Sequence, residues 1–429
     1  MKFKLSWQLV RSYDVTSKAF KPHSALLFLI ALHWVADVWK IFLFSRQLLL
    51  ASSTLTVPPK LRERMSSQDY DFARRQSLVS STATISSATF HLLVKTFKLY
   101  YGYHFYIWQF TVTQAETKFW RAIFYAVFDT LFSRLIALPF NLLVAIMYSN
   151  ESQIPLAAIT IVSVVEIIVA TIFTATMIAY LMKVIDDFGP RIFLYFTPLI
   201  ETIAMVLMAI YIQYFVPQRY STLENEPTVH DSIKRLTISV GYPSDKVYVD
   251  PDFNAAPNAY FIGVLGANMI MISRSLINML GPQQLTAVVA HELGHWFRYD
   301  LIIQLALLVL EESTVSIGVA YSYDSETLVK IFGFGKDKPP AIITLYMWFV
   351  YVSPLIFDIL DGVSSMIGRL CEFDADDFAC NVGLGSELKA ALLLMTSKST
   401  AYPIFDPLFS AWYHGHPTIF ERVDRIENH

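Results

Sequence analysis

Residues 155–183, PLAAITIVSVVEIIVATIFTATMIAYLMK, decide the fold class, because the run is predominantly apolar and its only charged residues are Glu166 and the terminal Lys183. A helix that crosses a bilayer needs about 20 predominantly apolar residues, and this stretch exceeds that length. The same reading finds further spans at 24–50, 83–111, 121–148, 190–216, 299–322 and 341–368. The expectation is an α-helical integral membrane protein with seven transmembrane helices. Composition points the same way: of 429 residues, 54% are hydrophobic and 16% charged, with a mean hydropathy of +0.44. That balance excludes a disordered chain, a disulfide scaffold and an ordinary soluble enzyme. A net charge of -3 leaves no electrostatic footprint for nucleic acid.

The polar remainder falls mainly at 51–82, 217–298 and 369–429. The chain therefore divides into a tail with five spans (1–216, including the polar loop 51–82), a polar region at 217–298, two more spans (299–368) and a polar C-terminal region (369–429). Lys2, Lys4, Arg11, Lys18 and Lys21 precede the first apolar run, which is long enough to be a retained anchor and not a cleaved signal. Seven crossings put 51–82, 217–298 and the C-terminus on one face. Arg46, Lys60, Arg62, Arg64, Arg74 and Arg75 favour a cytosolic side for that face, but the tail opposite is nearly as basic, so charge leaves sidedness open. Cys371 and Cys380, nine residues apart in a predicted helix, are about 13.5 Å apart along its axis, too far for a disulfide. Free thiols suit a reducing compartment.

The polar regions hold the chemistry. After Gly281-Pro282 a continuous helical pattern runs into His291-Glu292-Leu293-Gly294-His295-Trp296. One helical turn separates the two histidines, so both imidazoles can reach one zinc ion. Glu292, offset by one residue, lands where it can take a proton from a zinc-bound water. Chance alone supplies such a motif on the order of once per hundred chains of this composition, so the context has to support it. Arg369-Leu370-Cys371-Glu372-Phe373-Asp374-Ala375-Asp376 does so. Glu372, expected to begin a helix after the seventh span, supplies a third ligand, and Asp376 one turn on can accept a hydrogen bond from a ligating histidine. Asp361, in Leu360-Asp361-Gly362, is the rival third ligand. It lies within a span, whereas the histidine motif precedes one.

These motifs resemble those of the type I CAAX prenyl proteases, integral-membrane zinc metalloproteases of the gluzincin class. The resemblance extends to Pro257-Asn258-Ala259-Tyr260-Phe261-Ile262-Gly263, similar to a strand ahead of the zinc helix, and to Asp406-Pro407-Leu408-Phe409-Ser410-Ala411-Trp412-Tyr413-His414-Gly415-His416-Pro417 with Glu421-Arg422. It implies helices around a water-filled chamber, with His291, His295 and Glu372 as ligands of one zinc ion and Glu292 as general base. It further implies that Asn258 holds substrate backbone, His416 stabilises the oxyanion and Arg422 orients or neutralises carboxylates. Residue chemistry alone leaves His414 and His416 even. The implied substrate is a prenylated CAAX protein or peptide that loses its C-terminal tripeptide. The implied location is the endoplasmic-reticulum membrane, with the inner nuclear membrane as a second site, and the zinc facing the cytosol. Two departures, Phe297-Arg298-Tyr299-Asp300 where the family often has a basic or histidine residue and the segment Asp250 to Pro257 without a serine-rich approach, are expected to bear on substrate preference and not on the zinc.

The β-rich run Lys246-Val247-Tyr248-Val249-Asp250 predicts a strand, and 259–264 with 269–273 predict a hairpin across Gly266-Ala267-Asn268. Its exposed edge suits strand addition by an extended peptide. Pro58-Pro59-Lys60-Leu61-Arg62-Glu63-Arg64 reads as helical beyond its prolines. Charged groups inside spans (Asp37, Lys40, Asp129, Arg134, Glu166, Glu201, Glu311, Glu312, Asp358 and Asp361) face a bundle interior or water, and Asp129 with Arg134 is a candidate pair. They keep a non-enzymatic transporter in view, beside a broader membrane-protein quality-control protease.

Overall fold

In lipid a segment must satisfy its own backbone hydrogen bonds, so the long apolar runs fold as helices. The computed structural model describes residues 20–152, 155–251, 257–334, 339–399 and 401–429. The basic tail with Lys2, Lys4, Arg11 and Lys18 and most of the Asp250–Pro257 segment lie outside the described residues. The first half comprises α1 (Ser24–Ser53), α2 (Ser67–Tyr100), α3 (Tyr103–Gln114), α4 (Lys118–Ser152), α5 (Leu156–Phe188) and α6 (Phe193–Ile210), which continues through a π-helical turn at Tyr211–Phe215 into α7 (Val216–Arg219). On α5, Ile161, Val162, Ile168, Val169, Ile172 and Phe173 are each more than half exposed. A face that apolar is suited to lipid and not to water.

Among the described residues, six helices are long and apolar enough to cross a membrane: Ser24–Ser53, Lys118–Met147, Ala157–Phe188, Pro190–Arg219, Asp300–Ser322 and Ala341–Asn381. The expected span at 83–111 is not among them. Its residues belong to two helices, α2 and α3, broken where Gly102 takes a left-handed φ of +67° against the Phe20 ring. α2 also starts well before residue 83, capped by Ser66, whose Oγ accepts the Asp69 N–H at 3.1 Å. The polar loop is correspondingly shorter than 51–82. Serines and threonines lower the hydropathy of α2, and they let it lie close along α1. Trp34 Nε1 donates to Thr96 Oγ1 at 3.0 Å, and Lys95 pairs with Asp37 at 3.1 Å across this contact.

Some of the intramembrane charges pair between helices. Buried Lys98 on α2 binds Asp129 on α4, whose second oxygen accepts the Tyr346 hydroxyl at 2.7 Å. Arg134 pairs with Glu166 on α5 and not with Asp129. Residues five apart on a helix point away from each other, which is why the expected pair does not form.

The second half adds a sheet and the remaining helices. Strands β1 (Ser221–Thr222), β2 (Val247–Asp250), β3 (Ala259–Val264) and β4 (Ala267–Ser273) lie in the order β1-β2-β4-β3, with β2 parallel and β3 antiparallel to β4. The hairpin turns at Leu265-Gly266, both with positive φ, one position earlier than predicted. A two-residue turn of that hand matches the strand twist. The helices are α8 (Pro227–Val240), α9 (Arg274–Met279), α10 (Pro282–Phe297), α11 (Asp300–Ser322), α12 (Glu326–Ile331), α13 (Ala341–Met347), α14 (Ser353–Asn381), α15 (Gly385–Lys398), α16 (Pro407–Tyr413) and α17 (Ile419–Asn428). Residues Leu285 to Gly294 of α10 are all buried, against a core that includes Ile233, Ile270, Ile272, Leu276 and Ala379.

Glu372 does not begin a helix. It rides on α14, which runs unbroken from Ser353 because no proline or glycine follows Gly368 until after Asn381. The segment 54–66 forms only a 3-10 turn at Pro59–Leu61, and it docks on the C-terminal region. Lys60 meets Asp424 at 2.6 Å and Glu427 at 2.7 Å, while Arg46 grips Asp406 at 2.9 and 2.8 Å. These contacts put the loop and the C-terminus at one end of the bundle.

The Lys98–Asp129 pair generates a stability prediction. Lys98→Met leaves a buried carboxylate without its cation and should cost about 3–5 kcal/mol, read as a lower unfolding midpoint in detergent. The double variant Lys98→Met/Asp129→Leu should recover most of that loss.

Candidate metal centre

Two helices must cross closely to bring the three predicted ligands together, and the sequence provides for it. A Cβ on Gly294 would lie 2.8 Å from Ala375 Cα, so only glycine lets α10 and α14 approach this far. At that crossing His291 and His295 face Glu372. His295 Nε2 is 3.2 Å from His291 Nε2, and each is 3.5 Å from a Glu372 oxygen. One donor atom from each residue fits within a 4.8 Å cluster.

The outer nitrogens fix the tautomers. His291 Nδ1 lies 2.9 Å from Asp376 Oδ1, and His295 Nδ1 lies 2.8 Å from Asp300 Oδ2. Carboxylates only accept, so these contacts put hydrogen on both Nδ1 atoms, the Asp376 contact of His291 being shorter than the 3.3 Å to Arg422 Nη2, and in the neutral rings both Nε2 atoms are left as lone pairs. Two lone pairs 3.2 Å apart repel unless a cation stands between them or protons are taken up. Glu372 Oε2 is buried and makes no hydrogen bond, although it lies among these groups. Three convergent donors with an unsatisfied buried oxygen fit a metal cation, and the nitrogen and carboxylate set fits zinc. Without a cation, protons do the work: burial pulls His295 down, but Asp300 and Glu372 outweigh it and raise its pKa to about 10. Burial and the Arg422 charge act downward on His291, and Asp376 with Glu372 more than offset them.

Glu292 sits beside this cluster. Burial raises its carboxyl pKa, against the lowering effect of His291, His295 and the Phe261 N–H. Its Oε2 accepts that N–H, from β3, at 3.0 Å. β3 is the outer strand of the sheet, so the site lies along a free strand edge. Asn258 is exposed just before β3, with its N–H and C=O both committed to Ser273 at 2.9 Å, which leaves its side chain free for the cavity. A cavity of about 420 Å³ joins Asn258, Phe261, Glu292, Gln304, His416 and Arg422 to the three donors.

Arg422, on α17, is nearly buried and forks onto Asp376 at 2.8 and 2.7 Å, while its Nη1 is 3.3 Å from Glu372 Oε2. Burial acts against its charge, but Asp376 and Glu372 raise its pKa further above the ordinary range. The two C-terminal histidines part company. His416 Nδ1 reaches Glu372 Oε1 at 2.7 Å from the exposed mouth of the cavity. His414 instead packs its ring against Phe405 and Phe409, with centroids 4.5 and 5.4 Å apart. Asp361 lines a different, apolar cavity with Trp39 and Trp412. Both cysteines are free.

Three contributors escaped the sequence reading. Gly294 was visible only as a spacer of the motif, and the Phe261 N–H carries no side-chain signal. Asp300 belongs to a departure expected to concern substrate preference, yet it touches a metal-facing histidine. Five residues separate it from His295, and the break between α10 and α11 removes any helical spacing rule.

Comparison with known proteins agrees with the layout. Residues 223–429 match the model of peptidase family M48, and residues 47–218 match the CAAX prenyl protease N-terminal region of five membrane helices. A Dictyostelium discoideum protein named CAAX prenyl protease 1 homolog is 25% identical over 91% of this chain and 93% of its own length. The Homo sapiens protein of the same name is 23% identical over 92% and 93%. The crystal structure of S. mikatae Ste24p shares the fold, with a TM-score of 0.65 at 22% identity over 95% of this chain and all of that one. The chain belongs to peptidase family M48, as a multi-pass membrane metallopeptidase whose peptidase domain follows the N-terminal membrane region of the CAAX prenyl proteases.

Proposed function

We propose that this metallopeptidase removes the C-terminal tripeptide from prenylated CAAX proteins, with His291, His295 and Glu372 holding one zinc ion. The observation that carries the chemistry is the convergence of two imidazole nitrogens and a buried carboxylate next to Glu292 and an outer strand edge. The substrate rests on relatives matched over nearly their whole length that carry the CAAX prenyl protease name. Counting α2, whose 34 residues extend about 51 Å, gives seven membrane spans with α1, α4, α5, α6, α11 and α14. The helices then surround a chamber able to take the substrate's isoprenoid. The free cysteines and the resemblance favour the endoplasmic-reticulum membrane, with the site toward the cytosol.

A bound zinc ion would polarise the scissile carbonyl and make a water more acidic. Glu292 accepts the water's proton on its carboxylate and returns it to the leaving amine, its Oε2 held in place by the Phe261 N–H. The substrate backbone lies extended along β3, oriented by Asn258. His416, whose Nδ1 rests 2.7 Å from Glu372 Oε1 at the cavity mouth, would have to turn its N–H from that carboxylate toward the developing oxyanion. Arg422 holds Asp376 in register behind His291 and offsets the charge of Glu372.

The test is cleavage of a farnesylated CAAX peptide by purified protein. Zinc chelation should abolish it, and Glu292→Gln should lower kcat about a hundred- to ten-thousand-fold while zinc content stays the same. Turnover that survives both treatments would refute the mechanism. Equal, zinc-dependent cleavage of an unmodified peptide would point instead to a broader protease, and proton-coupled flux in liposomes without peptidase activity to a transporter. Because Glu292 must be ionised to accept a proton and burial raises its pKa, kcat should fall with acidification at a pH above the ordinary glutamate value of about 4.3. A pH profile flat down to that value would contradict this.

A further inference from the structure

Asp300 is the residue of the metal region for which the motifs assign no task. It is 3% exposed, and Oδ2 is 2.8 Å from His295 Nδ1. The chain reaches that position through an unusual turn. Tyr299 takes a left-handed φ of +59°, which a residue with a side chain seldom adopts, although the residue is 67% exposed. The turn swings Asp300 back beneath α10 as the first residue of α11, where the positive end of the helix dipole favours a carboxylate. The Cys371 side chain, next to Glu372 on α14, hydrogen-bonds the same carboxylate. Asp300 therefore joins α10, α11 and α14 at one point. Its neighbour Arg298 turns outward to Asp374 at 2.6 Å.

We propose that Asp300 is a positioning residue for the metal, holding His295 in the Nδ1–H tautomer and aiming Nε2 at the ion. This inference rests on the zinc reading above. Each imidazole then has its own carboxylate behind it, Asp376 for His291 and Asp300 for His295. The two differ in kind. Asp376 is shared with the guanidinium of Arg422, whereas among the described residues no lysine or arginine pairs with Asp300. Asp300 therefore serves His295 without a competing guanidinium, with only the Cys371 side chain sharing it. Such outer carboxylates typically change metal affinity or activity 10- to 100-fold. Asp300 also ties a ligand of the soluble face to the first turn of a membrane helix.

The experiment measures zinc dissociation by chelator competition on full-length protein in detergent, together with the visible spectrum of the cobalt-substituted form. Asp300→Asn keeps the size and one acceptor but loses the charge. It should weaken zinc about 10- to 100-fold and shift the cobalt bands. Asp300→Glu, which restores the charge, should recover part of the affinity. Only protein eluting as a folded monodisperse species is compared, with its thermal midpoint recorded. If folded Asp300→Asn binds zinc as tightly as the parent with an unchanged cobalt spectrum, the positioning role is wrong, and a lower midpoint alone would show a merely structural one. If the parent itself binds no zinc, the metal reading fails and takes this inference with it.

Discussion

The close crossing of α10 and α14 at Gly294 and Ala375 is the constraint on which the rest depends. It places a carboxylate from the end of a membrane helix against two imidazoles from a helix packed on the sheet. The groups brought together there cannot rest comfortably by themselves. Two imidazole nitrogens lie 3.2 Å apart, and a buried Glu372 oxygen makes no hydrogen bond, with the Arg422 guanidinium 3.3 Å away. Behind them Asp376, Asp300 and Arg422 are arranged so that the imbalance points inward, at one position. This many buried charges converging on one small volume suit a bound cation.

The same physics governs the membrane half in a milder form. Lys98, Asp129, Lys95 and Asp37 are paired between helices, because a lone charge among apolar neighbours is costly. α2 shows the other consequence of enclosure. A helix that packs along α1 can carry hydroxyl residues at that contact, and its hydropathy drops below that of its neighbours. The continuity of α14, from its apolar first part to Glu372, ties the helical bundle directly to the metal-ligand cluster.

Much of this was legible in the residues, and the limits were physical. Residues 155–183 announced a span because lipid imposes one simple demand, sustained apolarity. Lipid-facing α5 met it, whereas α2 did not, so the stretch at 83–111 was read with the wrong bounds and without its break at Gly102. His291, Glu292 and His295 were legible because helical spacing alone puts them together. Glu372 needed the third-ligand rule, and Asp300 obeyed no rule at all. Its contact depends on one left-handed residue, Tyr299, and on where the next helix starts. The pairing of Arg134 with Glu166 was hidden for a similar reason, since contacts between helices follow packing and not sequence separation.

The most direct measurement is an experimental structure of the active protein with anomalous scattering collected on both sides of the zinc absorption edge. A single zinc peak should stand between His291 Nε2, His295 Nε2 and the Glu372 carboxylate, within coordination distance of all three (about 2.0–2.2 Å). Active protein with no peak there, or with its metal bound at Asp361 instead of Glu372, would contradict it.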